Sequence, residues 1–212
     1  MASMNGPNIP KMNGNWILDK DRSTGLEEVL KLQGIGWLTR MTVLAATVTL
    51  KITQESEVIA PTTEPVKAIT LEQVLSGGLG GRPEKRLLNW TESKHNDILF
   101  GRVVIQSHYI PGLSESGGKI QPVFVAATTA LDERTESFLN EVVLVDGYSD
   151  VAEKSLKELF LHDFIRSEGA GWTAEQVWAV ESVGGEILLT RRVVVAKGRD
   201  TKTARVFYTR SG

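Results

Sequence analysis

From Thr47 to Arg210, apolar and polar positions alternate with a period of two in segment after segment, the pattern of strands with one covered face. Ahead of them, Asn15-Trp16-Ile17-Leu18 reads as a short strand. In Thr24-Gly25-Leu26-Glu27 the threonine is placed to cap a helix and the glutamate to reach back to it. Leu26, Val29 and Leu30 recur at helical spacing, and Gly34 is placed to stop the helix in the left-handed conformation. A second helical piece, Trp37 to Ala46, runs into the alternating strand Thr47 to Thr53. Further strands are expected at Val66–Leu75, Lys85–Trp90, Ile98–Tyr109, Val123–Thr129 and Phe138–Val145, with His95, Asn96 and Asp97 in a turn. Asp150, with Glu153 at the boxed position, opens a helix whose apolar face is Leu156, Leu159, Phe160 and Phe164, ending near Arg166. Ala174–Ser182, Ile187–Ala196 and Ala204–Arg210 close the chain as hairpins, with Gly184-Gly185 in the first turn. Consecutive antiparallel strands behind one helical pair predict a meandering barrel, which also removes the exposed edges that many short strands would create.

Composition narrows the chemistry. The 212 residues carry a net charge of −2, so no basic stripe is offered to nucleic acid or to a membrane surface. Cysteine is absent, which excludes disulfides, thiolate nucleophiles and thiolate metal sites. His95, His108 and His162 are scattered without ligand spacing, so neither a metal nor another cofactor is expected. The glycines of Ser76-Gly77-Gly78-Leu79-Gly80-Gly81 form a turn, because no Lys-Ser or Lys-Thr opens a helix after them. There is no Gly-x-Ser-x-Gly elbow and no closely spaced carboxylate pair of the glycosidase kind. Residues 1–12 read as a disordered lead-in with no signal-peptide core, and the longest apolar run, near Val43 to Leu50, is far short of a membrane span. The expectation is a soluble, cytoplasmic protein with one domain over residues 13–212, in which the sequon Asn89-Trp90-Thr91 goes unused. The oligomeric state stays open, a homodimer included.

Two segments carry a likeness. Gly14-Asn15-Trp16, followed by Leu26 to Leu32 and then Gly34-Ile35-Gly36-Trp37-Leu38-Thr39-Arg40, resembles the opening of intracellular fatty-acid-binding proteins, where a Gly-x-Trp strand leads into a helical pair. The closing hairpins, with Arg205-Val206-Phe207-Tyr208 in the last strand, resemble the end of that family. The resemblance implies a mainly β fold: an antiparallel up-and-down lipocalin-like (calycin) β-barrel, capped at one end by a short helical pair and carrying one additional helix. Such carriers are near 130 residues, so the chain reads as having an insertion at about 111–171. The family's carboxylate site uses Arg-x-Tyr on the last strand. Here Arg205 and Tyr208 are three apart and must face opposite sides of a regular strand, so with Tyr208 inward Val206 takes the arginine position.

Several residues become candidates on this basis. Trp16 reads as structural, packing across the closed end. Trp37 is either a ligand contact on the helical cap or core packing. Gln176 and Trp178 share a face with Val180. If that face is inward, Gln176 is a hydrogen-bonding group in a dry cavity. His108 shares a face with Gln106, and of the adjacent pair Arg191 and Arg192 one must point inward. Trp90 and Phe100 read most economically as core.

Two function classes follow. One is a non-catalytic carrier of fatty acid, terpenoid or another lipid. The other comes from the resemblance, since the lipocalin-like group includes fungal natural-product cyclases and Diels-Alder-type pericyclases that work by positioning and hydrogen-bond polarisation. On the second reading the protein catalyses a cofactor-free cyclisation or cycloaddition of a hydrophobic substrate in secondary metabolism. Gln176, Tyr208, His108 and Arg192 would then be the catalytic residues, and Trp37, Trp178, Trp90, Phe100 and Arg191 the substrate contacts. The missing in-phase Arg-x-Tyr pair and the insertion tilt the expectation toward the enzyme.

Overall fold

The computed structural model describes residues 9–58, 65–77, 80–115, 119–128, 131–144 and 157–211. Ten strands form one antiparallel sheet: β1 (Gly14–Thr24), β2 (Val48–Val58), β3 (Pro65–Leu75), β4 (Glu84–Leu87), β5 (Ser93–Asp97), β6 (Gly101–Ile110), β10 (Phe160–Ser167), β11 (Thr173–Val183), β12 (Glu186–Lys197) and β13 (Asp200–Arg210). Their order is β4-β3-β2-β1-β13-β12-β11-β10-β6-β5, so the first strand pairs with the last and the sheet curls into a nearly closed barrel. The remaining seam lies between β4 and β5. It is stitched by Ser93 Oγ donating to the Lys85 carbonyl at 3.2 Å and by Trp90 N–H donating to the Ser107 carbonyl at 2.9 Å. The lipocalin-like barrel expected from the sequence is the fold found.

Helices α1 (Leu26–Leu32) and α2 (Trp37–Ala45) follow β1 and cap one mouth. The start of α1 differs from expectation. Thr24 ends β1, and the N-cap is Gly25 at φ 74°, with no side-chain cap. A Cβ at Gly25 would stand 2.0 Å from the Thr203 carbonyl oxygen, so only glycine lets the helical pair lie this close to β13. Gly34, at φ 90°, stops α1 as the sequence predicts.

The closed end is plugged from the N-terminal side. Residues Ile9–Lys11 form a 3₁₀ turn, Ile9 and Met12 are buried, and the Trp16 indole donates to the Met12 carbonyl at 2.8 Å. Residues 9–12, expected to belong to the lead-in, are therefore part of the packed barrel end.

Between β6 and β10 the chain leaves the barrel. Strands β7 (Gly112–Ser114), β8 (Lys119–Pro122) and β9 (Val143–Leu144) make a small second sheet, joined by α3 (Glu133–Leu139). The Asp132 carboxylate caps α3 by accepting from Thr135 N–H, and the Thr135 hydroxyl accepts from Asp132 N–H in return. This segment lies on the outside of the barrel. There Ile110, Ile120, Leu139, Val143, Leu159 and Phe160 form a second apolar cluster with Val177, Ala179 and Val194. Burial of each large side chain contributes about 1.5–3 kcal/mol, so the cover is held mainly by this patch.

Four local expectations are corrected here. Phe160–Ser167 is the strand β10, not a helix, and Asp150 to Leu156, where that helix was to begin, lie outside the described residues. Because the outer cover buries both faces of β10, apolar residues occupy both parities and mimic helical spacing. The additional helix is α3, which includes Phe138 and Leu139, where a strand was expected. Residues 123–128 have no regular structure; the strand there is β8, just before them. His95, Asn96 and Asp97 end β5, and the turn is Ile98–Phe100.

Candidate functional site

Alternation along the closing strands fills the barrel. Ala174, Trp178 and Val180 of β11, Leu189, Val193 and Val195 of β12, and Ala204, Val206 and Tyr208 of β13 all belong to the inner apolar cluster. Between these walls and the helical cap lies a cavity of about 150 Å³. Leu26, Val29 and Leu30 of α1 with Val43 and Leu44 of α2 form its roof, and Phe100, Val103, Ile105 and Ile165 part of its wall.

A few polar groups converge on this space. Arg191 points inward, its guanidinium 4.7 Å from the centroid of the Trp178 ring and 5.8 Å from that of Tyr208. Arg191 forms no ion pair among the described residues, and its buried Nε–H has no acceptor. Two other lining residues share that condition: the Gln176 Oε1 lacks a donor and the Trp172 indole N–H lacks an acceptor. A buried polar group left without a partner costs about 1–3 kcal/mol, so three around one cavity mark where a bound molecule would supply the missing bonds.

Deeper lies a self-satisfied network. The Asp163 carboxylate accepts from Arg86 Nη1 at 2.5 Å, Ser107 Oγ at 2.6 Å and Trp178 Nε1 at 2.7 Å, and Arg86 also pairs with Glu84. Burial works against the Arg86 charge, but Asp163 and Glu84 outweigh it and hold the guanidinium above its ordinary pKa. Arg86 is thus committed to carboxylates, whereas Arg191 is free for a ligand.

The sequence candidates divide accordingly. Gln176, Tyr208, Phe100 and Arg191 line the cavity, and Trp178 lies beneath Arg191 at its polar end. Val206 does take the inward position two residues before Tyr208, and Arg205 faces out toward Glu181. Three candidates stand elsewhere. Trp37 is 65% exposed on α2 and is not among the lining residues. Arg192 is on the outer face, donating to Glu141 at 3.2 Å beneath the cover. His108 and Trp90 are also outside, beside the seam. Sequence reasoning singled out neither Trp172 nor Arg86 as a site residue. Asp163 lay in a segment assigned to a helix, so its inward face was invisible.

The comparisons agree with this architecture. No family model and no curated protein sequence matches the chain. Among solved structures it is similar to the fluorescent protein UnaG, at 15% identity over 96% of this chain and 99% of that one, with a TM-score of 0.51. It is also similar to zebrafish ileal bile acid-binding protein complexed with cholic acid (13%, 94% and 98%, TM-score 0.46) and to the Manduca sexta fatty-acid-binding protein (11%, 93% and 97%, TM-score 0.44). At such identity the likeness is one of fold alone. Among the described residues no helix is long and apolar enough to cross a membrane.

Proposed function

We propose that the barrel is a binding protein for an apolar small molecule carrying one anionic or strongly accepting group, held between the helical cap and Arg191. The observation that carries this reading is Arg191 itself: a cavity-facing cation backed by Trp178 and Tyr208, with an unpartnered Nε–H and no ion pair among the described residues, although Glu84 and Asp97 line the same cavity. Gln176 Oε1 adds a requirement, because it can only accept; the ligand needs a donor such as a hydroxyl near its acceptor. The apolar roof and walls supply the affinity, the polar groups the orientation. A cavity of about 150 Å³ is below the roughly 300 Å³ at which typical ligand sites begin, so a lipid-sized ligand must lift α1 and α2.

A carrier role, for fatty acid, terpenoid or another lipid, is therefore the reading preferred. Cyclisation or cycloaddition would use the same cavity and has no separate observation in its favour. The test is displacement of an anionic apolar dye, anilinonaphthalene sulfonate. It should bind the barrel, be displaced by long-chain hydroxy acids, and lose about tenfold or more in affinity with Arg191→Met, as loss of a charge-assisted hydrogen bond of about 1.5–3 kcal/mol requires. Equal affinity in the variant removes this proposal.

A further inference from the structure

A second group of side chains, on the other side of the barrel wall, has no role in cavity binding. Glu175, next to Gln176 in β11, faces outward and is fully buried under the cover. Its Oε1 accepts from the backbone N–H groups of Ala127 and Thr128, both at 2.7 Å. Its Oε2 meets His162 Nε2 at 2.5 Å, and His162 Nδ1 meets His108 Nε2 at 3.1 Å. The three residues occupy adjacent strands, β11, β10 and β6: His162 and His108 are directly paired, and Glu175 pairs with Phe164, two residues along β10 from His162.

The chain of bonds fixes its own protons. A carboxylate can only accept, so His162 carries hydrogen on Nε2, and in the neutral imidazole its Nδ1 is then an acceptor for the His108 Nε2–H. His108 Nδ1 is left with a lone pair, and it makes no hydrogen bond among the described residues. His108 lines a groove of about 570 Å³ with Trp90, Pro111, Val123, Phe124 and Val125.

Trp90 adds an independent sign. It is the one described non-glycine residue with positive φ, at 65°, a conformation that costs a bulky side chain about 1–3 kcal/mol. The strained backbone holds its ring stacked on His162, centroids 4.9 Å apart, and 4.3 Å from His108. Burial pushes His108 below its ordinary pKa, against the pull of Asp163 and Glu175.

We propose that this groove is a proton-transfer site in which His108 Nδ1 is a general base toward a flat apolar molecule with an acidic C–H or O–H. His162 and Glu175 act as positioning residues. As Nδ1 takes the proton, the Nε2 proton passes to His162 Nδ1, and the positive charge comes to rest against the Glu175 carboxylate. The substrate keeps the electron pair of the broken bond, and return of the proton to another atom completes an isomerisation or elimination.

The test uses a nitrobenzisoxazole, a flat aromatic probe whose opening reports a base in an apolar site. The C–H bond breaks as the proton moves to His108. Its electron pair completes the nitrile, and the N–O bond breaks with its pair leaving on oxygen as a coloured phenolate. The wild-type protein should exceed free imidazole at equal concentration, and His108→Gln should lower the rate roughly a hundredfold. Glu175→Gln reverses the hydrogen bonds. The amide donates to His162 Nε2, His162 Nδ1–H donates to His108 Nε2, and Nδ1 of His108 becomes protonated. That variant should also lose the rate, with the tautomer exchange visible in the imidazole nitrogen shifts of both histidines. A wild-type rate no higher than free imidazole overturns the proposal, as does a His108→Gln rate equal to wild type. A folded Glu175→Gln protein with unchanged tautomers does so too.

Discussion

Arg86 and Asp163 form an ion pair inside the barrel wall, Nη1 to Oδ2 at 2.5 Å, with both side chains almost wholly shielded from water. Such a pair adds little over an apolar pair of the same volume, but breaking it leaves one charge stranded. Arg86→Met should therefore destabilise the fold by about 3–5 kcal/mol. Adding Asp163→Asn should recover part of the loss, because the amide oxygen can still accept from the Trp178 indole while its NH2 donates to the Ser107 hydroxyl. Urea unfolding of the two variants checks this, and a single variant as stable as wild type would contradict the burial of Asp163.

Gly25 sets how closely the helical cap approaches β13. Gly25→Ala meets both a positive φ and the Thr203 carbonyl, so a loss of more than about 1 kcal/mol is expected. Because α1 roofs the cavity, the same variant should release a bound dye faster than wild type. Unchanged Tm and unchanged release would mean that the cap is not seated as described.

Met12 closes the opposite end. It is fully buried, its N–H donates to Gln54 Oε1 at 2.6 Å and its carbonyl accepts from Trp16. Met12→Ala should cost about 2–5 kcal/mol by the cavity it leaves. A near-neutral result, read from denaturant midpoints, would return this residue to the disordered lead-in expected from sequence.

Acid should weaken the fold through His108. Its pKa lies below the ordinary 6.5 in the native state, first from burial and then from His162, with Asp163 and Glu175 opposing; Trp90 and Phe124 bring no charge. As pH falls through 6.5 the unfolded chain takes up a proton that the folded chain refuses, so stability declines below that value and is fully present above it. Denaturant midpoints measured on either side of pH 6.5 should differ in that direction, and His108→Gln should shrink the difference.

What could be read from sequence follows from burial on one face or two. β1, β2, β3, β12 and β13, the helical pair and the Gly184-Gly185 turn were legible, because alternation, spacing and turn residues agreed there. β10 was not, since its covered outer face filled the polar positions with Phe160, His162 and Phe164. Parity put Tyr208 with Val206, and Gln176 with Trp178, on shared faces, and the barrel turns those faces inward. The choice between Arg191 and Arg192 did not follow from parity, because adjacent arginines carry no phase of their own. The Glu175–His162–His108 chain unites residues up to 67 positions apart through strand pairing, and nothing in local sequence announces it.

Strand β11 is a party wall. Gln176 furnishes the chamber inside the barrel and Glu175 the one beneath the cover, one peptide bond apart yet on opposite sides. Point substitutions along it can therefore refit either chamber while the other stays as it was. Loss or gain of a single residue within it would instead exchange the furnishings of the two rooms at once, which makes length, more than identity, the property this strand must keep.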